Sequence, residues 1–126
     1  MRALLIDDEE EFVETLAERL QLRGIEADWA SSAEQGLQKV EAGERYDIAV
    51  LDVKMPRISG IDLKRKIQAI SPATKFIFLT GHGSEADFIA GRSISEYYLI
   101  KPVQIDELVA KMTAAVTGQE DDHDHA

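Results

Sequence analysis

The 126-residue sequence predicts an α/β fold in which a doubly wound, five-stranded parallel sheet carries five helices on its two faces. Three observations predict it. Short apolar runs alternate with helical stripes five times over, joined by short loops. One run, Ile48-Ala-Val-Leu-Asp52, is apolar without polar alternation, as a central parallel strand covered on both faces requires. Four of the five runs end on a polar or charged residue, and in a parallel sheet all such ends open along one edge.

The first strand is expected over residues 3 to 7, ending in Asp7-Asp8. Asp8 with Glu11 resembles a capping pair, and Phe12, Val13, Leu16, Ala17 and Leu20 follow at helical spacing until Gly24. Ile25, Ala27 and Trp29 alternate weakly, as in a strand nearer the sheet edge, with Trp29 serving as packing. Ser32-Ala-Glu-Gln35 has the form of a capping box, and Ala33, Gly36, Leu37 and Val40 make the stripe of a second helix that Gly43 ends. The third strand runs from about Asp47 to Asp52, and the third helix turns Leu63, Ile67 and Ile70 inward. Between them, Lys64, Arg65 and Lys66 read as a solvated helix face.

Pro72 precedes Lys75-Phe-Ile-Phe-Leu-Thr80, a fourth strand that ends on a hydroxyl. Gly81-His-Gly83 makes a turn, and a short helix of about residues 84 to 91 follows. Tyr97-Tyr-Leu-Ile100 is the fifth strand, closed by Lys101-Pro102. Ile105, Leu108, Val109, Met112 and Val116 define the last helix. The domain is expected over residues 1–118, with 119–126 an acidic, disordered tail whose Asp and His residues are the alternative, transition-metal reading.

A net charge of −10 argues against a phosphate-backbone binder, so no nucleic-acid partner is expected. An apolar content of 44% and a charged content of 30% fit a soluble globular domain rather than a disordered chain. The absence of cysteine excludes disulfides, thiolate metal sites and a cysteine nucleophile. No apolar run approaches a membrane span or a signal peptide, and a cytoplasmic protein with no membrane partner is the expectation.

Reading only the carboxyl ends of the strands gives Asp7 and Asp8, then Asp52, Thr80 and Lys101. Taken alone, Asp52 reads as readily as a cap for the following turn, Asp7-Asp8 as helix-capping acids, and Thr80 as a strand residue. Together, three converging carboxylates would raise one another's pKa unless a cation intervened. An all-oxygen donor set selects a hard ion, Mg2+ above others. A hydroxyl and an ammonium beside it suit the oxygens of a phosphoryl group, and a carboxylate there can hold that group as an acyl phosphate.

The acidic pair, the D-x-x-M-P-x-x-x-G run from Asp52 to Gly60, Thr80 before a small residue, and Lys101-Pro102 together resemble the response-regulator receiver domains of two-component signalling. The resemblance spans residues 3 to about 117 and implies a flavodoxin-like strand order 2-1-3-4-5. It implies that Asp52 is the phosphoacceptor and that Asp7, Asp8, Asp52 and the Lys54 carbonyl hold Mg2+. It implies that Thr80 and Lys101 grip the phosphoryl oxygens, that Tyr98 is a switch aromatic, and that the peptide before Pro102 is cis. Lys54 and His82 border the phosphate by the same analogy and would tune its lifetime. Exposed loop side chains are the plainer reading of both.

A histidine kinase or histidine phosphotransfer protein is the implied donor, and an unidentified protein the output partner. The protein would be a phosphoacceptor rather than an enzyme, although it would catalyse its own phosphorylation and slow dephosphorylation. A homodimer through the face of the 84–91 helix, fifth strand and last helix is a further implication. Ile94 and Ser95 replace the family's common Gly-Ala pair before the fifth strand, which bears on that face and leaves the site intact. A stand-alone receiver is expected from the end of the sequence after the last helix. The alternatives are a pseudo-receiver binding module and an aspartyl-phosphate phosphohydrolase; the latter would need a second Asp where Lys54 stands.

Overall fold

The computed structural model describes residues 1–81 and 97–118. In chain order the elements are β1 (Arg2–Ile6), α1 (Glu10–Leu22), β2 (Glu26–Ala30), α2 (Ala33–Glu41), β3 (Ile48–Asp52), α3 (Gly60–Ile70), β4 (Lys75–Thr80), β5 (Tyr97–Ile100) and α4 (Ile105–Thr117). The strands form one parallel sheet in the order β2-β1-β3-β4-β5. The uninterrupted apolar run of β3 lies at the centre with every residue buried, and the weakly alternating β2 lies at an edge. The helix expected near 84–91, the residues of the Ile94-Ser95 departure, His82 and the acidic tail lie outside the described residues.

Each face of the sheet buries one apolar cluster. Val13, Leu16 and Leu20 of α1 and Leu108 and Met112 of α4 pack on one face against Leu5, Val50, Ile77 and Leu79, with Trp29 half-buried at the margin. Val40 of α2 and Leu63 and Ile67 of α3 cover the other face against Ile6, Leu51, Phe76 and Phe78. The period-two alternation of each strand sends its side chains to the two clusters in turn.

Helix starts differ in detail from expectation. Ser32 caps α2 by accepting from Gln35 N–H, but Gln35 Oε1 accepts from the backbone of Ser31 rather than from the cap itself. Ser59 caps α3 through Asp62 N–H at 3.1 Å, so that helix begins at Gly60. The expected Asp8 cap of α1 is corrected: Glu9 is the capping position, and its side chain makes no capping bond. Asp7 Oδ1 instead accepts Glu9 N–H at 2.9 Å, which turns the chain one residue earlier than a capping pair would and leaves Asp8 facing the site.

The opposite edge of the sheet is tied by Arg2. Its guanidinium pairs with Glu26, Asp28 and Glu44 and lies 4.6 Å over the Tyr46 ring, joining β1 to β2 and to the approach to β3. The buried Tyr46 hydroxyl donates to Asp28 at 2.7 Å. Tyr46→Phe is expected to lower stability by about 1 kcal/mol. Urea denaturation checks this, and an unchanged midpoint would remove that bond from the fold's support.

Candidate functional site

Three backbone hydrogen bonds extend the sheet past its strand ends. Asp7 N–H donates to Ala30 O, Val53 N–H to Leu79 O, and Lys101 N–H to Thr80 O at 2.8 Å. They fix Asp7, the β3 end and Lys101 along one edge, which is why residues spread from 7 to 101 meet. Gly60 N–H donates to Val53 O at 2.9 Å, bringing the start of α3 against the same strand end.

Carboxylate oxygens of Asp7, Asp8 and Asp52 lie within 4.8 Å of one another. Asp7 and Asp52 are 1% and 5% exposed, whereas Asp8 faces solvent. A cleft of about 340 Å³ opens beside Asp8 between Ser31, Ser32 and the Pro56-Arg57-Ile58 turn. Lys101 Nζ stands 2.8 Å from Asp7 Oδ2, 3.0 Å from Glu9 Oε1 and 3.8 Å from Asp52 Oδ1. It also lies 4.7 Å over the Phe12 ring. Lys54 N–H approaches Asp52 Oδ1 at 3.4 Å, and the Lys54 side chain points to solvent.

Burial raises the Asp52 pKa to about 7, aided by repulsion from Asp7 and by Asp8, and opposed by Lys101 and Lys54 N–H. Burial also raises Asp7, against the pull of Lys101 and Glu9 N–H. For Lys101, burial would lower the pKa, but Asp7 and Glu9 outweigh it and the ammonium is held charged. One lysine therefore does not neutralise the three carboxylates.

The donor set fits a hard divalent ion. All three side chains offer oxygen, and the buried Asp7 Oδ2 has the Lys101 ammonium at 2.8 Å as its one charged partner for a cluster of three carboxylates. A cation among these oxygens would relieve the repulsion that Lys101 alone leaves.

Thr80 is fully buried at the end of β4, paired in register with Ile100. Tyr98 is half-buried opposite Phe78, packs with the α2–α3 cluster, and shares the sheet face of Thr80 through strand alternation. The Lys101-Pro102 peptide is cis. His82 lies outside the described residues. The structure thus brings Asp7, Asp8, Asp52, Lys101 and Lys54 together and sets Thr80 and Tyr98 on the adjoining strands.

Two neighbours escaped the sequence reading. Glu9, which carried no assigned role, and Phe12, read as part of the α1 stripe, both contact Lys101. The one available signal was position: Glu9 directly follows Asp7-Asp8, and Phe12 lies three residues further on.

The family model of the response regulator receiver domain matches residues 3–113. The response regulator MprA of Mycobacterium avium is 33% identical over 125 residues, covering 97% of this chain and 54% of its own length. The chain spans about half the length of the curated relatives it matches. A crystal structure of a response regulator receiver domain protein from Clostridium thermocellum superposes with a TM-score of 0.81 at 34% identity, over 93% of this chain and 94% of that one. The response regulator TrrA of Thermotoga maritima, in complex with Mg2+ and BeF, superposes with a TM-score of 0.77 at 34% identity, over 90% and 97%.

Proposed function

The chain belongs to the response regulator receiver domain family, and from that premise we propose that it accepts a phosphoryl group on Asp52 from a histidine kinase or histidine phosphotransfer protein. The observation that carries this reading is the buried Asp52 carboxylate at the end of β3, flanked by Asp7 and Asp8 and faced by Lys101. Asp7, Asp8, Asp52 and the Lys54 carbonyl would hold Mg2+. When bound, Mg2+ supplies the positive charge that keeps the carboxylates ionised and neutralises phosphoryl oxygens.

The chain's own residues do the rest. An Asp52 oxygen attacks phosphorus as the donor imidazole leaves, forming an aspartyl phosphate. Lys101, held charged by its neighbours, is the ammonium within reach of the new phosphoryl oxygens. Thr80 would donate its hydroxyl to them, and its movement would draw Tyr98, which shares its sheet face, inward. The shifted population is what an output partner reads, with β5 and α4 contributing to the face it meets and to a homodimer. Lys54 and His82 would set how long the phosphoryl group lasts. A cytoplasmic location, a domain over residues 1–118 and an acidic tail beyond it belong to the same reading. Among the described residues no helix is long and apolar enough to cross a membrane.

Lys54 bears against the phosphohydrolase alternative, because an exposed lysine stands where that chemistry requires a second carboxylic acid. Incubation with Mg2+ and a small acyl phosphate should add one hydroxylamine-labile phosphoryl group, detected by intact mass. Asp52→Asn should abolish it, and equal labelling of the variant would remove Asp52 from the role. Lys101→Ala should still bind Mg2+ but lose the phosphorylation-dependent change in partner capture, and normal coupling would contradict the role given to Lys101.

A further inference from the structure

We propose that Glu9 and Phe12 form a dock that holds Lys101 away from the phosphoryl position, so that Glu9 is a positioning residue setting how readily Asp52 is phosphorylated. The inference rests on the phosphoacceptor reading of Asp52 and goes beyond it by adding a residue outside the carboxylate cluster. Lys101 Nζ hydrogen-bonds Glu9 Oε1 at 3.0 Å and stands over the Phe12 ring at 4.7 Å. Its nearest Asp52 oxygen is 3.8 Å away, beyond hydrogen-bond reach. The ammonium in this structure therefore rests between Asp7 and the start of α1, outside hydrogen-bond reach of the acceptor.

The local sequence explains why the dock exists. Glu9 occupies the capping position of α1, where a shorter Ser, Thr, Asp or Asn side chain would close the helix end. Its carboxylate makes no such bond and spans 92 positions of sequence to Lys101 instead. Phe12, three residues on, lies on the same side of the helix and offers its face to the cation. Asp7 also holds Lys101, but its oxygens belong to the cluster that fits a divalent ion. Once that charge is engaged by a cation, Glu9 is the remaining carboxylate that decides where Lys101 rests.

Glu9 is 66% exposed, so an exposed pair of this kind exerts a modest hold. Glu9→Gln removes the charge and weakens the contact. Glu9→Asp keeps the charge but is one methylene too short to reach. With Mg2+ and a small acyl phosphate donor, both variants should label Asp52 about threefold to fivefold faster than wild type, equivalent to about 0.6–1 kcal/mol. Independently of any donor, nitrogen-15 NMR of the metal-free protein should show Lys101 ammonium hydrogens protected in wild type and fast-exchanging in both variants.

Faster labelling by Glu9→Gln with wild-type behaviour of Glu9→Asp would mean that charge alone acts, and would overturn the dock. An ammonium signal indifferent to both substitutions would overturn it as well, even where Asp52 is labelled normally. If the ammonium responded while wild-type protein took no label, the phosphoacceptor reading would fail and the tuning role with it.

Discussion

In metal-free buffer at pH 8, Asp52→Asn is expected to be more stable than the wild-type protein by about 2 kcal/mol, a rise of about 6–10 °C in melting temperature for a domain of this size. The cause is the buried carboxylate itself. In the folded protein Asp52 holds its proton up to about pH 7, against an ordinary value of 3.8. Between those values the folded chain binds a proton that the unfolded chain does not, so the contribution to stability is complete below about pH 4 and is lost as pH rises through 7. A displacement of about three pH units corresponds to about 4 kcal/mol. Sharing of the repulsion with Asp7, and the access of salt through the exposed Asp8, reduce this to about half.

Mg2+ should reverse the order, stabilising wild type and leaving the Asn variant nearly unmoved, because the variant offers the ion a neutral amide in place of a carboxylate. Thermal melts from pH 4.5 to 8, with chelator and then with Mg2+, give the measurement. Equal pH slopes for the two proteins would refute the assignment of the destabilisation to Asp52. A Mg2+ response preserved in Asp52→Asn would remove Asp52 from the metal-binding group.

Much of the site was legible because a parallel sheet converts sequence order into proximity. Asp7-Asp8, Asp52, Thr80 and Lys101 each follow an apolar run, and the order β2-β1-β3-β4-β5 brings those ends to one edge. The elements followed from periodicity, and their ends shifted by one to three residues where local polar bonds outcompeted the pattern. Asp8 is the clearest instance: three-residue spacing suggested a cap, but Asp7 Oδ1 accepts Glu9 N–H and the helix starts one residue later, with Glu9 at the capping position. What periodicity cannot carry is a side-chain partner chosen across the fold. Glu9 with Lys101 and Arg2 with Glu26, Asp28 and Glu44 join residues with no shared local pattern. Their pairing follows from strand register and loop geometry, which exist only once the chain has folded.

Gly60→Ala is expected to lower stability by about 2–4 kcal/mol and to slow phosphorylation of Asp52 at least about tenfold, although Gly60 lies within a helix where Ala is intrinsically better by about 1 kcal/mol. The clash decides the sign. A Cβ at Gly60 would fall 2.3 Å from the Asp52 carbonyl oxygen, 3.0 Å from its carbon and 3.1 Å from Val53 Cα. All three are backbone atoms of the strand end, so neither a rotamer change nor a small side-chain shift relieves them. At Gly36 a Cβ would meet the Ile6 side chain at 2.1 Å, and a shift of that chain's end is open to it. For Gly60 to accept a methyl group, either α3 must retreat or the β3 end must move. The first breaks the Gly60 N–H bond to Val53 O, and the second displaces Asp52 from Asp7 and Asp8. Displacement of a reacting group by about 1 Å can reduce a rate about a hundredfold, so the effect on labelling should exceed what partial unfolding alone explains. Labelling rates measured well below the melting transition, on protein shown to be folded by circular dichroism, separate the two effects. A folded Gly60→Ala variant that labels at the wild-type rate would show that the close contact between α3 and β3 does not position the acceptor.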